Sequence, residues 1–180
     1  MFVQTETTPN PNSLKFLPGK TVSNSGSFEI SKKEETDSDL VKNILSVNGV
    51  TTVFLGSDFL SVNKSEEMDW EDIKHIVISL INDFYSTGKE FVIANALFEE
   101  KKGELKEIEK KIINLLETKI KPAVAKDGGD IKFKEFKDGI VKVELQGSCS
   151  GCPSSTMTLK QGVQNLLCHY LPEVKEVIAV

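Results

Sequence analysis

The chain has 180 residues, 39% apolar and 27% charged, with a net charge of −5. That length suits one mid-sized domain or two small ones, and no apolar run approaches a membrane span, so a membrane partner is not expected. Every basic residue is lysine; without the guanidinium fork that grips phosphates and base edges, no nucleic-acid partner is expected either.

Residues 2–7, FVQTET, alternate and predict a strand, and LKFL at 14–17 predicts a second after the turn-rich TPNPNS. Residues 18–26 are loop, and SFEIS is a short strand. Asp37 or Ser38 is placed to cap a short helix, DLVKNILSV, with Leu40, Val41, Ile44 and Leu45 on one face and Asn48-Gly49 at its end. VTTVFLG and FLSVN form a hairpin across Gly56-Ser57-Asp58. Asp69 opens a longer helix through Ile73, Ile76, Val77, Leu80, Ile81 and Phe84, which stops near Thr87-Gly88.

Residues 88–102 carry less pattern and read as a linker, with the apolar FVIANALF docking on a domain. The second half opens on a helical pattern from Leu105 to Ile120, with its charged residues on the wet side. Lys121-Pro122 should break or kink it, because a proline inside a helix costs roughly 3 kcal/mol. Asp127-Gly128-Gly129-Asp130 is a turn. IKFKEF and IVKVELQ then make an antiparallel hairpin across Lys137-Asp138-Gly139. A helix from about Pro153 to Tyr170 and a final strand, VKEVIAV, close the chain. The expected fold class is α+β, in two small domains at 1–87 and 103–180 joined by the linker at 88–102. The second domain runs helix-strand-strand-helix-strand.

There are three cysteines, an odd number with no secretory leader, which argues for metal or redox chemistry over a disulfide framework. Cys149 and Cys152 stand in the stretch GSCSGCPSS. Pro153 suits the first helical position, since its missing N–H would be unpaired there anyway. The pair therefore falls in a loop and at a helix start, where exposed N–H groups favour thiolate, the form that attacks and the form that binds metal. Gly147 and Gly151 leave room for a bulky ligand.

Two thiolates are half of a zinc or cubane site, each of which takes four ligands. Cys168 and His169 lie some four turns along the same helix, roughly 20 Å away at about 1.5 Å per residue. They do not complete the site, and a second copy of the chain would supply two more thiolates. Spacing alone leaves three chemistries open: a cluster site, a structural zinc site and a thiol–disulfide oxidoreductase. The last is expected in a βαβ context, whereas an antiparallel hairpin precedes these cysteines.

KPAVAKDGGDIKF, followed by DGIVKVELQGSCSGCPSSTMTLKQGVQNLLCHYLPEVKEVIAV, resembles the NifU-like C-terminal domain of Nfu-type iron–sulfur proteins over residues 104–180. TETTPNPNSLKFLPG, VNGVTTVFLGSDFLSV and the DW that opens a helix resemble the family's N-terminal domain. The resemblance implies a scaffold or carrier, not an enzyme. It implies one [4Fe-4S] cluster per two chains, with a [2Fe-2S] form as the alternative, held by Cys149 and Cys152. The implied partners are a second copy, upstream scaffold proteins and apo iron–sulfur acceptor enzymes. The N-terminus, MFVQTETTPN, has neither a secretory leader nor an Arg-rich presequence. The expected setting is thus the bacterial cytoplasm, or the mitochondrial matrix if a presequence was removed.

Other residues carry blander expectations. Asp127 and Asp130 are turn carboxylates. Cys168 is a small hydrophobe on an apolar helix face. His75 and His169 are surface or packing residues, and Trp70 belongs to the core. Met157 and Leu159 form an apolar shield or dimer contact around the cluster, or ordinary core. The first domain has no cysteine, so its expected role is to dock a donor or acceptor protein.

Overall fold

In the computed structural model the described residues are 3–23, 27–89, 106–149 and 153–179, with the helical backbone alone for 153–156. The chain divides into two units, Met1–Ala96 and Leu97–Val180. Each mixes helices and strands, so the class is α+β. Of the predicted linker only residues 88 and 89 lie within the described residues; FVIANALF lies outside them.

The first unit is built on β1 (Gln4–Thr7), β2 (Ser13–Leu17), β3 (Phe28–Ile30), β4 (Val50–Leu55) and β5 (Leu60–Lys64). They form one antiparallel sheet in the order β1-β2-β5-β4-β3. Period-two alternation turns Leu14, Phe16, Val53, Leu55, Leu60 and Val62 toward α1 (Asp39–Leu45) and α2 (Trp70–Ser86), closing one buried cluster. Ser38, not Asp37, caps α1; its Oγ accepts from the Val41 N–H at 3.5 Å. Asp69 precedes α2 but makes no side-chain cap bond.

Ile76 departs from the expected face of α2, being 48% exposed. The buried stripe runs through Ile73, Val77, Ile81 and Tyr85. It drifts about 40° per step at 3.6 residues per turn, which leaves Ile76 about 60° behind its start. Tyr85 ends the stripe, 4% exposed, and its hydroxyl donates to the Thr21 carbonyl at 3.0 Å.

The second unit begins with α3 (Glu107–Leu115), passes through a wide π turn at Leu116–Ile120, and restarts as α4 (Lys121–Lys126). The proline break expected at Lys121-Pro122 takes this form. Lys121 N–H bonds five residues back to the Leu116 carbonyl, and Pro122, which has no N–H, falls in the first turn of α4. β6 (Gly129–Lys137) and β7 (Ile140–Gly147) form the hairpin; α5 (Pro153–Tyr170) then carries the chain to β8 (Glu176–Ala179). β8 lies parallel to β7, giving the order β6-β7-β8. Asp138 and Gly139 take φ of 53° and 80°, as the tight right-twisted hairpin turn requires.

Ile112, Leu116, Ile131, Val143, Val163 and Leu167 belong to this unit's own buried cluster. Elsewhere on the hairpin, Lys134–Glu144 at 2.7 Å and Lys142–Glu135 at 3.2 Å pair across the strands. The expected DGGD turn is shorter than its four residues: Asp127 and Gly128 turn, while Gly129 and Asp130 already belong to β6. Among the described residues, no helix is long and apolar enough to cross a membrane.

Burial pushes the Tyr85 hydroxyl up to about 12 from 10.0. The folded state then holds this proton more tightly than the unfolded chain does, so the stabilisation is complete below pH 10 and is lost as pH rises toward 12. Thermal melts of the first unit should fall across that window. Tyr85→Phe should flatten the alkaline fall and cost about 1 kcal/mol at neutral pH for the lost hydrogen bond.

Candidate metal centre

β7 ends at Gly147, whose φ of 69° turns the chain back toward the start of β6. The hairpin register sets Gly147 opposite Gly129. Ser148 then fastens the turn twice. Its backbone N–H donates to the Gly128 carbonyl at 3.2 Å, and its hydroxyl donates to the Asp127 carbonyl. Cys149 follows, 7% exposed.

The residue beneath Cys149 is Gly129. Its φ is not in the left-handed region, unlike that of Gly128 at 84°, so its backbone would admit any side chain. Space does not admit one. A Cβ on residue 129 would stand 2.7 Å from Cys149 Sγ, 2.7 Å from the Gln146 carbonyl oxygen and 3.2 Å from the Cys149 nitrogen. The sulfur lies against the spot a side chain would fill. Asp130, 6% exposed, turns its carboxylate to the Ile131 N–H at 2.8 Å, with Lys121 Nζ at 4.0 Å. The Asp130 carboxylate thus serves the local backbone, while Asp127 takes part through its main-chain carbonyl.

Cys152 lies outside the described residues, and the helix that follows it begins at Pro153. Among the described residues no three His, Cys, Asp or Glu side chains gather to hold a metal. A cysteine sulfur seated in a glycine cradle suits a soft, thiophilic metal or cluster. Sequence reasoning passed over Gly129 and Ser148. Their signal was the doubled glycine, of which only the first needs its freedom of φ.

Residues 112–178 match the model of the NifU-like domain, and residues 3–88 match that of the scaffold protein Nfu/NifU N-terminal domain. The chain belongs to the Nfu/NifU-like family. The NFU1 iron-sulfur cluster scaffold homolog, mitochondrial, of Homo sapiens is 44% identical over 180 residues, covering 98% of this chain and 71% of that protein. NifU-like protein 4, mitochondrial, of Arabidopsis thaliana is 44% identical over 184 residues, 98% of this chain and 65% of that protein. The chain thus spans roughly two thirds of the length of these relatives. A solution structure of a NifU-like protein from Saccharomyces cerevisiae matches with a TM-score of 0.49 at 33% identity, over 53% of this chain and 87% of that one.

Cys168 sits in the last turn of α5, where its thiol donates to the Val174 carbonyl at 3.2 Å. It ties the helix end to the approach of β8 and is half-buried. His169 and His75 are exposed. Met157 is 73% exposed, which removes it from the core reading, whereas Leu159 packs against the buried cluster. In the Nfu unit, Trp70 is half-buried against the core, and its indole N–H donates to the Pro11 carbonyl at 3.0 Å. Cys168→Ala should lower the melting free energy by about 1 kcal/mol through loss of this one bond, measured by denaturant titration, and should leave the chemistry of Cys149 unchanged.

Proposed function

We propose that this chain is an iron–sulfur scaffold and carrier, which assembles or receives a [4Fe-4S] cluster on Cys149 and Cys152 of two copies and delivers it to apo-proteins. The observation that carries this reading is the seating of the Cys149 sulfur in the Gly129 cradle, four residues ahead of the start of α5 at Pro153. Membership of a family whose relatives are named iron–sulfur scaffolds supports it. β7, α5 and the parallel β8 form a βαβ unit, the setting disulfide oxidoreductases also use, so family membership and not strand order favours the cluster.

In this reading the cluster is cargo. Each copy offers two thiolates, and cluster sulfurs accept backbone N–H bonds such as a glycine-rich turn supplies. Delivery is ligand exchange, in which acceptor thiolates replace Cys149 and Cys152 one after another, with no bond made or broken on carbon. The partners are apo iron–sulfur proteins, a second copy and an upstream donor. The Nfu unit, which has no cysteine, docks one of these proteins. The relatives are named mitochondrial, which supports the matrix as the setting.

Anaerobic incubation with ferrous iron and sulfide should give a brown protein with broad absorption near roughly 400 nm, and loading should shift it toward dimer on gel filtration. Cys149→Ala and Cys152→Ala should each abolish the colour. A wild-type protein that stays colourless, or that binds zinc and unfolds with chelator, would overturn the reading.

A further inference from the structure

We infer that Gly129 is a positioning residue for the cluster: by having no side chain it sets where the Cys149 sulfur stands, and so how long the cluster is held. The inference rests on the scaffold reading above, and it adds a residue that makes no bond to iron.

Glycine occurs in chains for two reasons, backbone freedom and lack of bulk. The first is absent at Gly129, which lies in β6 without a left-handed φ. The second is acute, because two of the three atoms nearest a Cβ there belong to backbone. The Gln146 carbonyl oxygen sits in β7 opposite β6, and the Cys149 nitrogen follows the doubly bonded Ser148. Neither can retreat without opening the hairpin end or the Ser148 clamp. The one atom that can move by side-chain rotation is Cys149 Sγ. A methyl at position 129 therefore pushes the sulfur out of its cradle, while its 2.7 Å approach to the Gln146 carbonyl oxygen also forces a small shift at the hairpin end. Residues that orient a metal ligand without touching metal typically cost about 10–100-fold in affinity when altered.

The test compares Gly129→Ala with Gly162→Ala, a glycine on α5 with no atom within 4 Å of an added Cβ. On the apo-protein, iodoacetamide alkylation of Cys149 is followed by peptide mass spectrometry. After reconstitution, cluster loss to a chelator is followed by absorbance. Gly129→Ala should melt cooperatively, expose Cys149 to alkylation several-fold faster, and lose its cluster about ten-fold faster; Gly162→Ala should match wild type in both. Ser148→Ala, which removes one fastening of the same turn, should shift both readouts in the same direction by less. A folded Gly129→Ala with wild-type alkylation and wild-type cluster lifetime overturns the inference. If Gly129→Ala does not fold, wild-type behaviour of Ser148→Ala overturns it. A wild-type protein that takes up no cluster overturns the scaffold reading instead, and the alkylation arm, which needs no cluster, still decides whether Gly129 positions the sulfur.

Discussion

The second unit depends on the register of a single hairpin. Ile131 opposite Leu145 and Phe133 opposite Val143 put the apolar residues of β6 and β7 on the helix side. A slip by one residue would turn every one of them to the other face. The core therefore permits one alignment over this stretch, and a one-residue register shift between Phe133 and Glu135 reconciles it with the tight turn at Asp138-Gly139. That alignment places Gly129 against Gly147 at the far end. The seat of Cys149 is thus fixed by packing in the middle of the hairpin, several residues from the cysteine itself.

The two units put similar ingredients to different use. In the Nfu unit the pairings among the described strands are antiparallel, and the polar loop before β2 is tied down: Lys64 Nζ bonds Asn12 Oδ1 at 3.0 Å, and Trp70 bonds the Pro11 carbonyl. In the NifU-like unit a parallel pairing through α5 joins the end of the chain to β7. The segment between β7 and α5 contains the cysteine pair. Connections between packed elements are where chains place reactive groups, since a rigid scaffold on either side fixes them.

Much of this was legible in the sequence, because the signals were local. Alternation located the strands, Gly88 ended α2, and Pro153 marked the start of α5. Where the reading slipped, the deciding contact was distant. DGGD looked like a four-residue turn because two glycines between aspartates suit a turn. Nothing nearby says that the second glycine is held in a strand under a sulfur twenty residues on. Ile76 fits an apolar period, but the drift of the buried stripe along a 17-residue helix leaves it outside. Met157 likewise gives no local sign that it faces solvent. At Pro122 the sequence foretold a disturbance without its form, since a kink, a break and a π turn all relieve the same missing N–H.

The crowding at residue 129 also bears on the protein's heredity. Every missense change at a glycine codon introduces an amino acid with a Cβ. At most positions such changes grade from mild to severe with size, charge or polarity. Here the smallest of them already meets the sulfur, so the site has no gentle neighbour in sequence space. The spectrum of tolerated alleles at position 129 should be close to empty, while the exposed glycine at 162 drifts freely.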